Sequence, residues 1–158
     1  MHRRYARSLR GTRADGSAPV NYGDNISLIG AIRLDGVTTA MTLAGAVDGD
    51  AFLAFTEHML APELRPGDVV VMDNLGAHKV KGIREAIEAV GAHLAYLPPY
   101  SPDLNPIEKC WAKVKHILRS IGARTKEGLH QAMAQALDLV TLTDLIGWFK
   151  YCGYGQAV

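Results

Sequence analysis

Two stretches decide the fold: residues 69–74 (VVVMDN) and residues 97–108 (LPPYSPDLNPIE). The first is an apolar run too short for a helix and followed at once by polar residues, which predicts a strand buried on both faces. In open α/β sheets, ligand-handling residues gather just past the carboxyl ends of such strands, and Asp73 lies at that position. The second stretch is rich in Ser, Pro, Asp and Asn, which predicts an irregular connection into a helix.

Glu108 is predicted to lie in the first turn of that helix, because Asn105 suits the N-cap and Pro106 suits the first helical position. The spacing of Asn105 and Glu108 also resembles a capping box, in which the carboxylate serves only the helix end. Asp73, taken alone, is equally consistent with a turn residue. Taken together, the two carboxylates are the hard oxygen ligands that Mg²⁺ prefers, so the pair predicts a divalent metal site.

These residues resemble the catalytic region of the mariner-type transposases and their bacterial insertion-sequence relatives, which are DDE transposases. A separation of 34 residues, numbers 74 to 107, between the last two acids is a mark of one bacterial branch. The resemblance extends over nearly the whole chain from about Arg3 and implies an α/β, ribonuclease-H-like fold with a mixed sheet flanked by helices. It rests on residues 71–74 (VMDN), His78 and residues 98–108 (PPYSPDLNPIE).

The resemblance also implies the chemistry. In this family, three carboxylates hold two Mg²⁺ ions, with Mn²⁺ as a substitute, for in-line displacement at phosphorus. Water attack nicks the end of the element, and the freed 3′-hydroxyl then attacks target DNA. Asp73 and Glu108 match the second and third metal ligands. Asn74, His78 and Asn105 match positions that support the site, although His78 is also consistent with a purely structural residue.

One part of the family pattern is missing. The family's first catalytic Asp lies on the first strand of the sheet, upstream of an Arg-rich segment similar to residues 3–7, and neither Asp15 nor Asp24 matches it. We therefore expect a catalytic-domain fragment that lacks the first strand. Three hypotheses follow: part of a split product that is active when complete, an inactive truncated transposase that binds DNA or full-length transposase as a regulator, or a weak nuclease.

Charge is distributed unevenly, although the net charge is only +1. Residues 1–13 and residues 109–126 are basic and contain no acid, so we expect them to contact phosphates, with a solvated face as the alternative. The expected partner is DNA, both transposon ends and target, bound by a homodimer or larger assembly. The candidate DNA-binding residues are Arg3, Arg4, Arg7, Lys109, Lys115 and Arg119.

The length of 158 residues predicts one domain, with residues 1–24 as a basic lead-in and residues 25–158 as the catalytic domain. Cys110 and Cys152 have no spacing typical of metal ligands, which predicts free thiols in a reducing cytoplasm, here bacterial and associated with the nucleoid. No apolar run reaches the length of a membrane span.

Hydrophobic periodicity predicts the remaining elements. Asp35-Gly36 predicts a tight turn between the first two strands. The long helix should pack through Ile107, Trp111, Val114 and Leu118. The predicted strands are residues 25–34, 37–43 and 92–97, in addition to the one at 69–72. The predicted helices are residues 50–60, 80–90, 105–121, 126–140 and 143–151.

Overall fold

The structure, a computed structural model, describes residues 7–13 and 25–154. Arg3, Arg4 and most of the predicted lead-in segment therefore lie outside the described residues, and the division at residue 24 stays a prediction. Within the described part, no helix is long and apolar enough to cross a membrane.

The chain enters the described fold through an antiparallel hairpin, β1 (Ile26–Arg33) and β2 (Gly36–Ala44), with a bulge between Ala31 and Ile32. The predicted turn is displaced by one residue. Arg33 pairs with Gly36, so the two-residue loop consists of Leu34 and Asp35 instead of Asp35 and Gly36.

A helical layer follows the hairpin. α1 (Gly49–Phe55) begins at Asp48, whose side chain accepts a hydrogen bond from the Ala51 N–H at 2.8 Å. The helix continues as a π-helical turn, Thr56–Leu60, and the two segments together cover the helix predicted over residues 50–60. Phe52 and Phe55 are buried and face the sheets, so these aromatic residues belong to the core.

A parallel crossover unit comes next: β3 (Val69–Met72), a 3₁₀ turn (Gly76–Lys79), α2 (Ile83–Ala89) and β4 (His93–Tyr96). The crossover was predicted, but the burial of β3 was not predicted correctly. Met72 is buried, whereas Val69 is 59% exposed. The physical reason is that β3 pairs with a strand, β4, along only one of its edges, and the residues of β3 line an open groove.

Three helices close the fold: α3 (Pro106–Ile121), α4 (Lys126–Asp138) and α5 (Leu142–Tyr151). The predicted apolar face of α3 is confirmed, because Val114 and Leu118 are buried and Ile107 and Trp111 pack against the same core. Both cysteines are free and buried, and burial raises the pKa of the Cys110 thiol to about 11.

The layers are helix, sheet, helix. One core lies between the strands and α1 with α2, and a second lies between the β1–β2 hairpin and α3 with α4. The mixed α/β class is as predicted. Among the described residues, however, the strands form two separate two-stranded sheets, β1–β2 and β3–β4, where one mixed sheet was expected.

Candidate functional site

Asp73 directly follows the last residue of β3, as the sequence predicted. Its Oδ1 accepts a hydrogen bond from the Leu75 N–H at 3.1 Å, which folds the chain back toward the 3₁₀ turn. The side chain is 37% exposed, so the carboxylate is anchored by this turn and still accessible from solvent.

His78 lies against Asp73. Its Nδ1 is 2.6 Å from Asp73 Oδ1, an ion-pair distance when the imidazole is protonated, although the two atoms are not aligned as a hydrogen bond. The ring packs on Phe52 with centroids 4.1 Å apart, and the His78 carbonyl accepts a hydrogen bond from the Tyr96 hydroxyl at 2.6 Å. These contacts fix the imidazole, so it restricts the orientations open to Asp73.

Glu108 lies in the first turn of α3, where the sequence placed it, but the capping interpretation is wrong for this helix end. Asn105 occupies the N-cap position without a side-chain capping bond, and the Glu108 N–H instead donates to the Asn105 carbonyl at 3.2 Å. Over the residues that the structure describes, the Glu108 carboxylate makes no hydrogen bond or ion pair. It is exposed, with the positive end of the helix dipole behind it.

Asp73, Asn105 and Glu108 all line the same two cavities. The smaller cavity, about 390 Å³, is formed with Asn74, Lys79 and the loop of residues 97–102. The larger, about 620 Å³, is the apolar groove between β1 and β3. The structure thus gathers Asp73, Asn105 and Glu108 where the two cavities meet, with Asn74 in the smaller cavity and His78 in the larger one.

The residues present suit a divalent cation only in part. Two carboxylates and two amide groups are hard oxygen donors of the kind that Mg²⁺ and Mn²⁺ accept. Across residues 7–13 and 25–154, no group of three or more His, Cys, Asp or Glu side chains could hold a metal ion. The donor set fits a metal that takes its remaining ligands from water, phosphate or a further carboxylate.

The predicted cations of α3 fall into two groups. Lys115 and Arg119 are exposed on the face of the helix that carries Glu108. Lys109 lies over the Tyr151 ring, with Nζ 4.1 Å from the centroid.

Lys113, also in the basic run, bonds to Asp144 and so links α3 to α5. Arg7 is exposed, and Arg3 and Arg4 lie outside the described residues.

Sequence reasoning did not single out two residues at this site. Tyr100 is fully exposed on the rim of the smaller cavity and has a left-handed backbone, with φ 58°. The Pro-rich loop around it was a signal for irregular structure, but not for this conformation. Lys79 also lines the smaller cavity, with its Nζ 5.9 Å from the centroid of the Tyr96 ring, and no sequence pattern marked it.

Comparison with known proteins gives a family and a set of structures with a similar fold. The family model described as DDE superfamily endonuclease matches residues 1–130. Comparison with curated proteins gives no match. Among solved structures, the chain is similar to the Mos1 strand transfer complex, with a TM-score of 0.75 and 16% identity. It is similar also to the Mos1 transposase paired-end complex with the left transposon end, with a TM-score of 0.75 and 15% identity.

A third similar structure is the Mos1 mariner paired-end complex with Mn, with a TM-score of 0.69 and 15% identity. Each match covers 99% of this chain but 47% to 48% of the Mos1 chain, so the chain spans about half the length of these proteins. At such low identity the likeness shows the fold alone. The ribonuclease-H-like α/β fold predicted from the sequence is confirmed.

Proposed function

This chain belongs to the DDE superfamily endonuclease family, and we propose that it is part of the catalytic domain of a transposase. The complete enzyme would cleave DNA at transposon ends and transfer the freed strand to target DNA. The observation that carries this proposal is that Asp73 and Glu108, separated by residues 74–107, line the same two cavities.

Each residue has a role in the proposal. Asp73 and Glu108 would hold Mg²⁺ or Mn²⁺, which supplies charge stabilisation and activates the attacking hydroxyl in phosphoryl transfer. His78 would limit the rotation of Asp73 through its ring, which Phe52 holds in place. The amide groups of Asn74 and Asn105 would orient water or phosphate oxygens within the smaller cavity.

DNA would approach along α3. Lys115 and Arg119 follow Glu108 along an exposed face, so a phosphate backbone lying on that face would place one phosphate near the carboxylates. We extend the proposal to Arg3, Arg4, Arg7 and Lys109 as further phosphate contacts. We further propose that it acts as a homodimer or larger assembly on nucleoid DNA in the bacterial cytoplasm.

The test is nicking of supercoiled plasmid by the purified chain with Mn²⁺ or Mg²⁺. We expect a low rate that Asp73→Asn and Glu108→Gln each abolish. The matched control is Asp138→Asn, which removes an exposed carboxylate from the end of α4 that lines neither cavity. Nicking that survives both site variants would come from a contaminant and would count against the assignment.

A second candidate is a regulator that binds DNA or full-length transposase without cleaving. It is favoured by the donor count, because the described residues offer two carboxylates at the site where the family uses three. Co-expression with an active transposase of the same element should then lower the transposition frequency. The same effect from the Asp73→Asn variant would separate regulation from catalysis, and an unchanged frequency would refute this candidate.

A further inference from the structure

The smaller cavity carries an aromatic ring that the fold itself does not bury. Tyr100 lines this cavity together with Asp73 and Glu108, and its relative exposure is 102%. A tyrosine ring is a large apolar surface, and covering it with other side chains would stabilise the folded state. Its full exposure beside two carboxylates indicates a surface that a ligand covers.

The backbone at Tyr100 is strained. Across residues 7–13 and 25–154, Tyr100 is the only residue other than glycine with a positive φ, which is 58°. Bulky side chains rarely adopt this left-handed conformation, because Cβ approaches the following carbonyl oxygen. Strain of this kind is concentrated at active sites and ligand clamps. Glycine would relieve it, so the ring at this position does not serve the stability of the loop.

The loop holds the ring in a fixed position. Pro98 and Pro99 precede Tyr100 and Pro102 follows it, and each proline fixes its own φ. The Asn105 N–H donates a hydrogen bond to the Pro102 carbonyl at 3.1 Å, which closes the loop onto the start of α3. A ligand that covers a ring on such a loop orders few additional bonds, so little of the binding free energy is lost.

A cation lines the same cavity. The Lys79 Nζ is 5.9 Å from the centroid of the Tyr96 ring, and the Arg84 guanidinium carbon is 5.8 Å from the same centroid. Arg84 also pairs with Glu88 at 3.0 Å, whereas Lys79 forms no ion pair with any described side chain. Lys79 therefore keeps its charge for an anionic ligand. An exposed aromatic ring with a nearby cation is the combination that binds single-stranded nucleic acid, the ring by stacking on a base and the cation by attracting phosphate.

We propose that the smaller cavity binds one unstacked nucleotide of a DNA strand, with its base against the Tyr100 ring and its phosphate beside Lys79. The volume of about 390 Å³ lies in the range of pockets for small ligands. This subsite is part of the DNA site of the proposed function, on which it rests, and it positions the strand next to Asp73 and Glu108. Every base has an aromatic face, so the subsite accepts any base and holds the strand without reading its sequence.

The experiment uses the full chain, without divalent metal, and two single-stranded oligonucleotides of about ten nucleotides. One is abasic at every position except the centre, where it carries the fluorescent base 2-aminopurine, and the other is abasic throughout. Both carry the same dye at one end for anisotropy. The phosphates are identical, so the ratio of the two affinities isolates the base. Wild type should bind the oligonucleotide with the base about tenfold more tightly, and stacking should quench the 2-aminopurine fluorescence.

Variants assign this preference to the ring. Tyr100→Phe should keep both the preference and the quenching, and Tyr100→Leu and Tyr100→Gly should lose both. The Gly variant relieves the backbone strain, so misfolding does not explain its loss. Lys79→Ala should weaken binding of both oligonucleotides by the same factor and keep the preference for the base. The control is Leu139→Ala, at an exposed site beyond α4, which should change neither affinity.

Three results would overturn the subsite: equal affinity of wild type for the two oligonucleotides, a preference for the base that persists in Tyr100→Leu and Tyr100→Gly, or a preference that Tyr100→Phe also loses. Unchanged affinities in Lys79→Ala would contradict the phosphate contact. The measurement contains no metal and involves no cleavage, so its outcome is separate from that of the nicking test. Stacking on Tyr100 in a chain that never nicks plasmid would retain the subsite and count against cleavage alone.

Discussion

Replacing Asp73 with Asn should remove most of the stabilisation that Mn²⁺ gives to this chain. The carboxylate is 37% exposed, and Oδ1 is held by the Leu75 N–H at 3.1 Å, which leaves Oδ2 for a metal. Glu108 contributes a carboxylate with no bonding partner among the described side chains. A site with two carboxylates should bind at about 1 mM, the weak end of the range for oxygen ligands.

The size of the effect follows from mass action. At about 10 mM Mn²⁺, a Kd of about 1 mM stabilises the folded state by about 1.4 kcal/mol. For a domain of this size, that free energy raises the Tm by about 3–6 °C. Loss of one carboxylate should weaken binding at least about tenfold, which reduces the stabilisation to about 0.4 kcal/mol and the shift to about 1 °C.

The assay is a thermal melt with and without Mn²⁺, and the quantity compared is the metal-dependent shift. The metal-dependent shift is compared instead of the Tm itself, because Asp73→Asn also breaks the contact with His78 and so changes the Tm measured without metal. Glu108→Gln should behave in the same way, and Asp138→Asn should keep the full shift. Equal shifts in wild type, Asp73→Asn and Glu108→Gln would refute the idea that these two carboxylates share a cation.

Three other predictions concern DNA contact, pH and backbone strain. The double variant Lys115→Ala and Arg119→Ala should bind duplex DNA more weakly, and its slope of log Kd against log salt concentration should be smaller by about 1.8. The control variant Lys81→Ala should leave both the affinity and the slope unchanged. Asp144→Asn should lower the free energy of unfolding at pH 7 by about 1 kcal/mol, as measured by urea melts, because the ion pair with Lys113 is lost and the bonds of the α5 cap lose their charged acceptor. Tyr100→Gly should raise that free energy by about 1 kcal/mol, and Tyr100→Ala should not, because only Gly adopts φ 58° without strain.

The pH dependence of the Asp144 effect has a defined sign. The hydrogen bond from Lys113, with those from Thr141, lowers the pKa of the Asp144 carboxyl to about 2, below its ordinary value of 3.8. The stabilisation is therefore complete above about pH 4 and is lost as the pH falls through about 2. A difference between wild type and Asp144→Asn that persists below that pH would contradict this account.

Two outcomes would contradict the remaining predictions. A salt slope that is the same for wild type and the double variant would show that Lys115 and Arg119 do not contact phosphates. Equal stability of the Gly and Ala variants at position 100 would show that the left-handed backbone there carries no strain. Tyr100 is fully exposed, so lost packing cannot account for a difference between these variants.

The sequence by itself determined the local features whose causes are local. Hydrophobic spacing located α3 and its apolar face, and the short apolar run followed by an acid located β3 and Asp73. A Pro-rich connection before a helical pattern placed Glu108 in the first turn. These features depend on neighbours within a few residues, and the chain carries that information in its order.

Only the tertiary structure decided the features that depend on residues far apart in the chain. β3 was predicted to be buried on both faces, yet it borders a groove. The burial of a strand depends on the distant elements that pack around it, which its own residues do not specify. Asn105 occupies the N-cap position of α3, but its side chain makes no capping hydrogen bond. Lys113 belongs to a basic run, but it pairs with Asp144 on another helix. Residue types specify which bonds a side chain is able to form, whereas the packing of distant elements decides which of those bonds are made.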